Sequence, residues 1–463
     1  MLVRMVCVVL VLAFCGSVLG RDPEQMSRWV EQAKVRAVKM RGLSFLQDVP
    51  VETMTRAQIE AEILEVVERD MPPEWRVRVD RGYKAFGLVP MDSDVINDMI
   101  RLVVSQAGGF YDPVAKHVIL PDDLEEFMGQ MVGEMVAGAP GFMDPMMRNI
   151  LTHEFTHALQ DQHHDLSGIM DVGMDDDDVQ LAITALVEGD ATLIGTGAMM
   201  NDAGDLTNLL RQDPTAMAAM MGAGGGMLGA EANAMPAILK ETLIFPYVHG
   251  YILVTKMVQE GGFERVDRAF ADPPLSSEQL LYPQKYLGEV RDEPVEVTLP
   301  EFDVLGAGWS LVGRNTLGEF QTRILLGNTP DAIAAAQGWG GDRYAVYEHD
   351  DGRLGVVWVS VWDDAGEAKQ FFEEIAYHEG KRFEGEASRA RYREAGGVSF
   401  AVVGTEQDTS HVSLVGDMVV LARGFGPGLA GELDTLAREG STRRVKTWAD
   451  IRAKQAKPEL VAP

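Results

Sequence analysis

Two histidines four residues apart, with a glutamate directly after the first, are the residues of this chain best equipped for chemistry: His153-Glu154-Phe155-Thr156-His157. On a helix, positions i and i+4 share a face, so both imidazoles can reach one metal ion. Glu154 then stands beside an open coordination position, where a carboxylate can serve as general base in peptide hydrolysis. The same five residues also fit an ordinary exposed helix turn. What separates the two readings is a third ligand, because a catalytic zinc site takes three protein ligands and keeps a fourth position for water.

Glu188 is the candidate for that ligand, in Ala185-Leu186-Val187-Glu188-Gly189-Asp190-Ala191-Thr192. The acidic run Asp175 to Asp178 suits the start of a helix carrying it, since carboxylates are favoured at the positive end of the helix dipole. Thr184, Ala191, Thr192 and Gly195 lie along or near the Glu188 face, and such small side chains let two helices approach closely. The 31 residues from His157 to Glu188 allow a loop and an antiparallel return. The competitor is His163, six residues after His157 as in the metzincin motif H-E-x-x-H-x-x-G-x-x-H. That motif needs a glycine where this chain has Gln160, a good helix former. A helix continuing through Gln160 carries His163 roughly 240° away from His157, at about 100° per residue.

Leu151 to Gln162, read with Ala185 to Ala191, resembles an exported bacterial family of gluzincin-type zinc metallopeptidases. Further matching stretches are Gly109-Phe110-Tyr111-Asp112-Pro113, Phe245-Pro246-Tyr247, Ser277-Glu278-Gln279 and Gly338-Trp339-Gly340-Gly341-Asp342-Arg343-Tyr344. The resemblance runs from about residue 80 to about residue 365. It implies a zincin-like fold, Zn2+ as cofactor and peptidase chemistry on a peptide or protein substrate, without specifying that substrate. The sequence departs from the pattern twice. Thr192 stands where many gluzincins carry an aspartate that orients the first histidine, and Tyr282-Pro283 stands where a histidine precedes the proline. Tyr247 and His249, near Pro246, are candidates to donate a hydrogen bond to the oxyanion beside zinc, though both also suit a packing helix. The alternative to an enzyme is a non-catalytic zincin-like binding or adhesion module. Retention of Glu154 argues against it, because a purely structural site has no use for a base.

The elements that must position these residues are legible around them. Asp144-Pro145 is a helix start, with Asp as N-cap and Pro at the first turn. Met147, Leu151, Phe155, Ala158, Leu159 and Gln162 form one mostly apolar stripe, the two histidines lie off it beside Asp161 and His164, and Gly168 is a stop. Upstream, Gly108 to Pro113 reads as a turn and Lys116 to Pro121 as a strand. Many zinc peptidases place the edge strand that pairs with an extended substrate at this point. His117 reads as a strand surface residue. Residues 22–70 read as amphipathic helices, one closed by Arg41-Gly42 and the next begun by Thr55, and they suit a packing or prosegment-like lead.

Residues 1–20 read as a signal peptide: Arg4, then an apolar run from Met5 to Phe14, then small or modest residues at Val18-Leu19-Gly20. Cys7 and Cys15 both fall inside it, so the mature chain is expected to be exported, periplasmic or extracellular, with no cysteine chemistry. The formal net charge of −30 disfavours nucleic acid and anionic membrane surfaces as partners. No stable membrane insertion is expected after cleavage, and nothing in the sequence specifies an oligomeric state. The fold class expected is α+β. A helical region (21–75) leads into a zincin-like catalytic domain (76–300) with a Gly/Met-rich flexible insertion (201–236), followed by an α+β accessory domain (301–463). In the last, Tyr344 to Tyr347, Leu354 to Val361, Val398 to Val403 and His411 to Ala422 read as strands. Ala365 to Tyr377 and Leu429 to Arg438 read as helices, and Trp339, Trp358 and Trp362 as core.

Overall fold

The computed structural model describes residues 7–10, 23–124, 143–172, 175–200, 205–224 and 233–455. The chain is α+β. Its first part is helical around a four-stranded sheet, and its last part is built on a seven-stranded sheet.

The elements of the first part are β1 (Cys7–Leu10), α1 (Pro23–Arg41), β2 (Val51–Met54), α2 (Arg56–Asp70), α3 (Pro73–Phe86), α4 (Val95–Gln106), β3 (Ala107–Asp112) and β4 (His117–Pro121). The sheet order is β1-β3-β4-β2, antiparallel except for the β2–β4 pair. Thr55 caps α2 with a full capping box, as its position before a helical run predicts. Cys7–Leu10, inside the segment read as a targeting peptide, pairs with β3 in the full chain. Three sequence expectations need correcting here. Val51–Met54 is a strand within the region read as helical. The Gly108–Pro113 cluster is largely strand β3, and the turn falls later, with Lys116 at positive φ. Finally, β4 is interior to the sheet between β3 and β2, so it offers no free edge.

Next come α5 (Met143–His164), α6 (Leu166–Met170), α7 (Asp177–Met200), α8 (Pro214–Gly224), α9 (Ala237–Ala271), α10 (Ser277–Leu281) and α11 (Pro283–Leu287). The apolar stripe of α5 is buried as its spacing predicts. Met147, Leu151, Phe155, Ala158 and Leu159 share one core with Trp29, Ala33 and Ala37 of α1 and with Tyr111, Val118 and Leu120 of the sheet. Every described side chain of α7 from Asp177 to Ala198 is buried, so this helix runs through the middle of the molecule. Part of the 201–236 stretch read as a flexible insertion is the helix α8, packed on α9; residues 201–204 and 225–232 lie outside the described residues. α9 runs through Pro246 and breaks instead at Gly261 and Gly262, where Gly262 has φ +65°. By length and hydropathy α9 could cross a membrane, but 61% of its most apolar window is buried inside the protein, which is the condition of a core helix.

The last part comprises β5 (Val295–Thr298), β6 (Trp309–Asn315), α12 (Gly318–Leu325), α13 (Pro330–Ala336), β7 (Trp339–His349), β8 (Leu354–Trp362), α14 (Ala365–Gly380), β9 (Arg391–Ala395), β10 (Val398–Gly404), β11 (Thr409–Val415), β12 (Met418–Phe425), α15 (Pro427–Gly440), β13 (Thr442–Val445) and α16 (Trp448–Gln455). The sheet order is β6-β7-β8-β12-β11-β10-β9, all antiparallel. Successive residues of β8 enter different cores. Val356 and Trp358 pack with Phe371 of α14, and Val357 and Val359 pack with Leu433 of α15. Helices on both faces explain why this strand is apolar along its length except at Ser360. Trp339, Trp358 and Trp362 are core. The span His411 to Ala422, read as one strand, is a hairpin that turns at Gly416, which has φ +58°.

Candidate metal centre

Helices α5 and α7 run antiparallel in contact, and glycine sets their spacing. A Cβ on Gly195 would lie 3.2 Å from the Cβ of His153 and 2.9 Å from Oδ1 of Asn149. On the other side of α7, a Cβ on Gly250 of α9 would lie 1.9 Å from the Ala185 carbonyl oxygen, so α7 and α9 cross backbone to backbone at Gly189 and Gly250. The expectation that small residues let the Glu188 helix approach the histidines holds at Gly195.

This packing brings the three expected donors together. Nε2 of His153 and Nε2 of His157 are 2.9 Å apart, and Oε2 of Glu188 lies 3.2 Å from the first and 3.5 Å from the second. Donors held about 2.0–2.2 Å from one tetrahedral ion sit roughly 3.3–3.6 Å from each other, so the Glu188 distances are near the size of a metal site and the His153–His157 pair is tighter. His153, His157 and Glu188 are all buried, and so is Glu154. Burial, with the neighbouring His157, lowers the His153 pKa against the pull of Glu188, which leaves a neutral ring with a lone pair. Burial alone would raise the Glu188 pKa, but His157 and His153 draw it below its usual value, so it is a carboxylate. Neutral imidazole and ionised carboxylate are the protonation states a metal ligand needs.

The outer groups are just as specific. Nδ1 of His157 is 2.9 Å from Oε1 of Gln160, whose Nε2 donates to the Val187 carbonyl and to Oδ2 of Asp190, each at 3.0 Å. The same Asp190 oxygen accepts from Nε of Arg41 at 2.8 Å, in a fully buried ion pair that ties α1 to α7. Gln160, Asp190 and Arg41 escaped the sequence reading as site residues. A signal existed for the first two, since Gln160 is one helical turn beyond His157 and Asp190 is two residues past Glu188.

Tyr247 is buried with its ring stacked on His153, at 6.3 Å between centroids. His249 faces elsewhere. It stacks on Phe245, and burial, with a contribution from Arg323, pushes its pKa down to about 4. His163 continues the helix as expected, and its Nε2 lies 2.8 Å from the Ser44 carbonyl on the surface. Asp161, expected beside the histidines, bonds instead to the Tyr111 hydroxyl and the Lys116 ammonium, each at 2.7 Å. His117 belongs to no metal-capable group among the described residues. Tyr282, at the position where a histidine was expected, bonds to Glu319 and Arg323.

Residues 309–434, from the first residue of β6 into α15, match a domain of unknown function, DUF8575. No curated protein and no solved structure matches the chain.

Proposed function

We propose that this chain is an exported zinc-dependent endopeptidase with a zincin-like catalytic region, in which His153, His157 and Glu188 hold the metal and Glu154 moves the proton. The observation that carries this reading is the convergence of three buried donors from α5 and α7, two imidazoles and one carboxylate, with Glu154 adjacent to the first. That donor set, two His and one Glu, is the one zinc takes in a class of peptidases. When bound, zinc supplies a Lewis acid and lowers the pKa of a water towards about 7. Glu154 accepts the proton of the attacking water and returns it to the leaving amine. Tyr247, whose ring stacks on His153, is the residue we assign to donate a hydrogen bond to the developing oxyanion. Export rests on the pattern of residues 1–20, and the seven-stranded sheet region serves as an accessory domain.

One observation favours the second reading, a non-catalytic zinc-binding or adhesion module. His153, the most exposed of the four site residues, retains only 2% of its surface, so little of the cluster is open to a peptide. Glu154→Gln separates the two. It keeps size and hydrogen bonding but cannot accept the proton. On a peptide library that wild type cleaves, hydrolysis is expected to fall by about 10²–10⁴-fold with zinc retained. Equal cleavage by wild type and variant would overturn the proton role. A zinc-loaded wild type that cleaves nothing across the library would leave the binding-module reading standing.

A further inference from the structure

Gln160 has a chemical orientation that its neighbours dictate. Its Nε2 faces two groups that can only accept, the Val187 carbonyl and the Asp190 carboxylate. The reversed amide would set its oxygen against both acceptors, so the amide nitrogen must point to α7. Its oxygen therefore points to Nδ1 of His157, at 2.9 Å. An amide oxygen cannot donate, so that ring nitrogen carries the hydrogen. Nε2 is then left bare, aimed at His153 and Glu188.

We propose that Gln160 is the positioning residue that locks His157 in the Nδ1–H tautomer, with the buried Arg41–Asp190 pair holding the amide from behind. The chain of contacts is Arg41 Nε to Asp190 Oδ2, Gln160 Nε2 to the same oxygen, and Gln160 Oε1 to His157 Nδ1. Arg41 is the last residue of α1 and is itself buried; its second contact goes to Asp267 of α9. The N-terminal helix is thus part of the metal centre's support and not a removable lead. The arrangement takes the place of the aspartate expected at position 192. It acts on the second histidine instead of the first, through an amide instead of a carboxylate.

The inference rests on the metal-site reading, not on peptidase activity, and its test separates the two. Ring-nitrogen NMR spectra of full-length, metal-free protein, taken at a pH where the His157 ring is neutral and with His157 assigned by loss of its signal in His157→Asn, are expected to show Nδ1 protonated and Nε2 bare. A neutral wild-type His157 ring protonated at Nε2 overturns the proposal, whether or not any variant folds. In Gln160→Met the ring is expected to shift towards the Nε2–H form. Zn2+ affinity, measured by competition with a chromophoric chelator, is expected to fall about 10–100-fold. A Gln160→Met protein that melts like wild type and keeps both tautomer and affinity also overturns it. If wild type takes up no zinc, the metal reading fails, while the spectrum still decides the tautomer.

Discussion

Glu278, Asp292 and Asp363 converge as closely as His153, His157 and Glu188 do: in each group the ligand atoms lie within 4.8 Å of one another. The two groups differ in what sits among them. Nζ of Lys285 is 2.6 Å from Glu278, 2.8 Å from Asp292 and 2.8 Å from Asp363, so an ammonium already occupies the point where a cation would go. The three carboxylates hold Lys285 in its charged form, while burial raises the Glu278 carboxyl against the pull of that lysine. Around Glu188 no lysine or arginine ion-pairs among the described residues, and the guanidinium of its network, Arg41, is bonded to Asp190 and Asp267. Convergence alone therefore does not define a metal site. Three carboxylates accumulate charge that the fold itself neutralises, whereas two imidazoles and one carboxylate direct nitrogen and oxygen ligand atoms at a common point. Imidazole with carboxylate suits zinc, and an all-carboxylate set suits harder cations.

Removing the ammonium should break the comparison most strongly. Lys285→Met leaves three carboxylates facing one another. Loss of one partner of a fully buried pair costs 3–5 kcal/mol, and Lys285 keeps 20% exposure, so about 2–4 kcal/mol is expected at neutral pH. Chemical denaturation measures this, and added Ca2+ should restore part of the loss by taking the position of the ammonium. A variant as stable as wild type and indifferent to Ca2+ would mean that Lys285 is not what fills this group.

The smallest effect is expected at His163, the rival third ligand. Its ring is exposed and bonded to the Ser44 carbonyl, so His163→Ala should change stability by no more than about 0.5 kcal/mol and leave zinc binding intact. A His163→Ala protein that loses its zinc would exchange the roles of His163 and Glu188.

The donors were legible in the sequence because their placement is a local matter. A four-residue spacing fixes a helix face, and Gly195 announces close approach to whatever that face meets. The support was not, because it depends on pairing between distant segments. Arg41 meets Asp190 from 149 residues away. The Gly189–Gly250 crossing likewise joins two helices whose contact no periodicity encodes. Tyr247 and His249 lie two residues apart on α9, which separates their faces and explains why only Tyr247 meets His153. In the last part, runs of β-branched and aromatic residues marked β7, β8 and β10. The fully exposed edge strand β9 carries no apolar face to betray it, and the turn at Gly416 is marked only by the pair Gly416-Asp417 between two apolar runs. The strand β2 was missed because four residues between two helices give too short a period to read.

Metal analysis of purified protein tests the central claim most directly. Wild type equilibrated with buffered zinc should hold about one zinc per chain, from a single three-ligand site. His157→Ala and Glu188→Ala should each lose it while Lys285→Met keeps it. Full zinc occupancy in both His157→Ala and Glu188→Ala would contradict the assignment of this cluster as the metal centre.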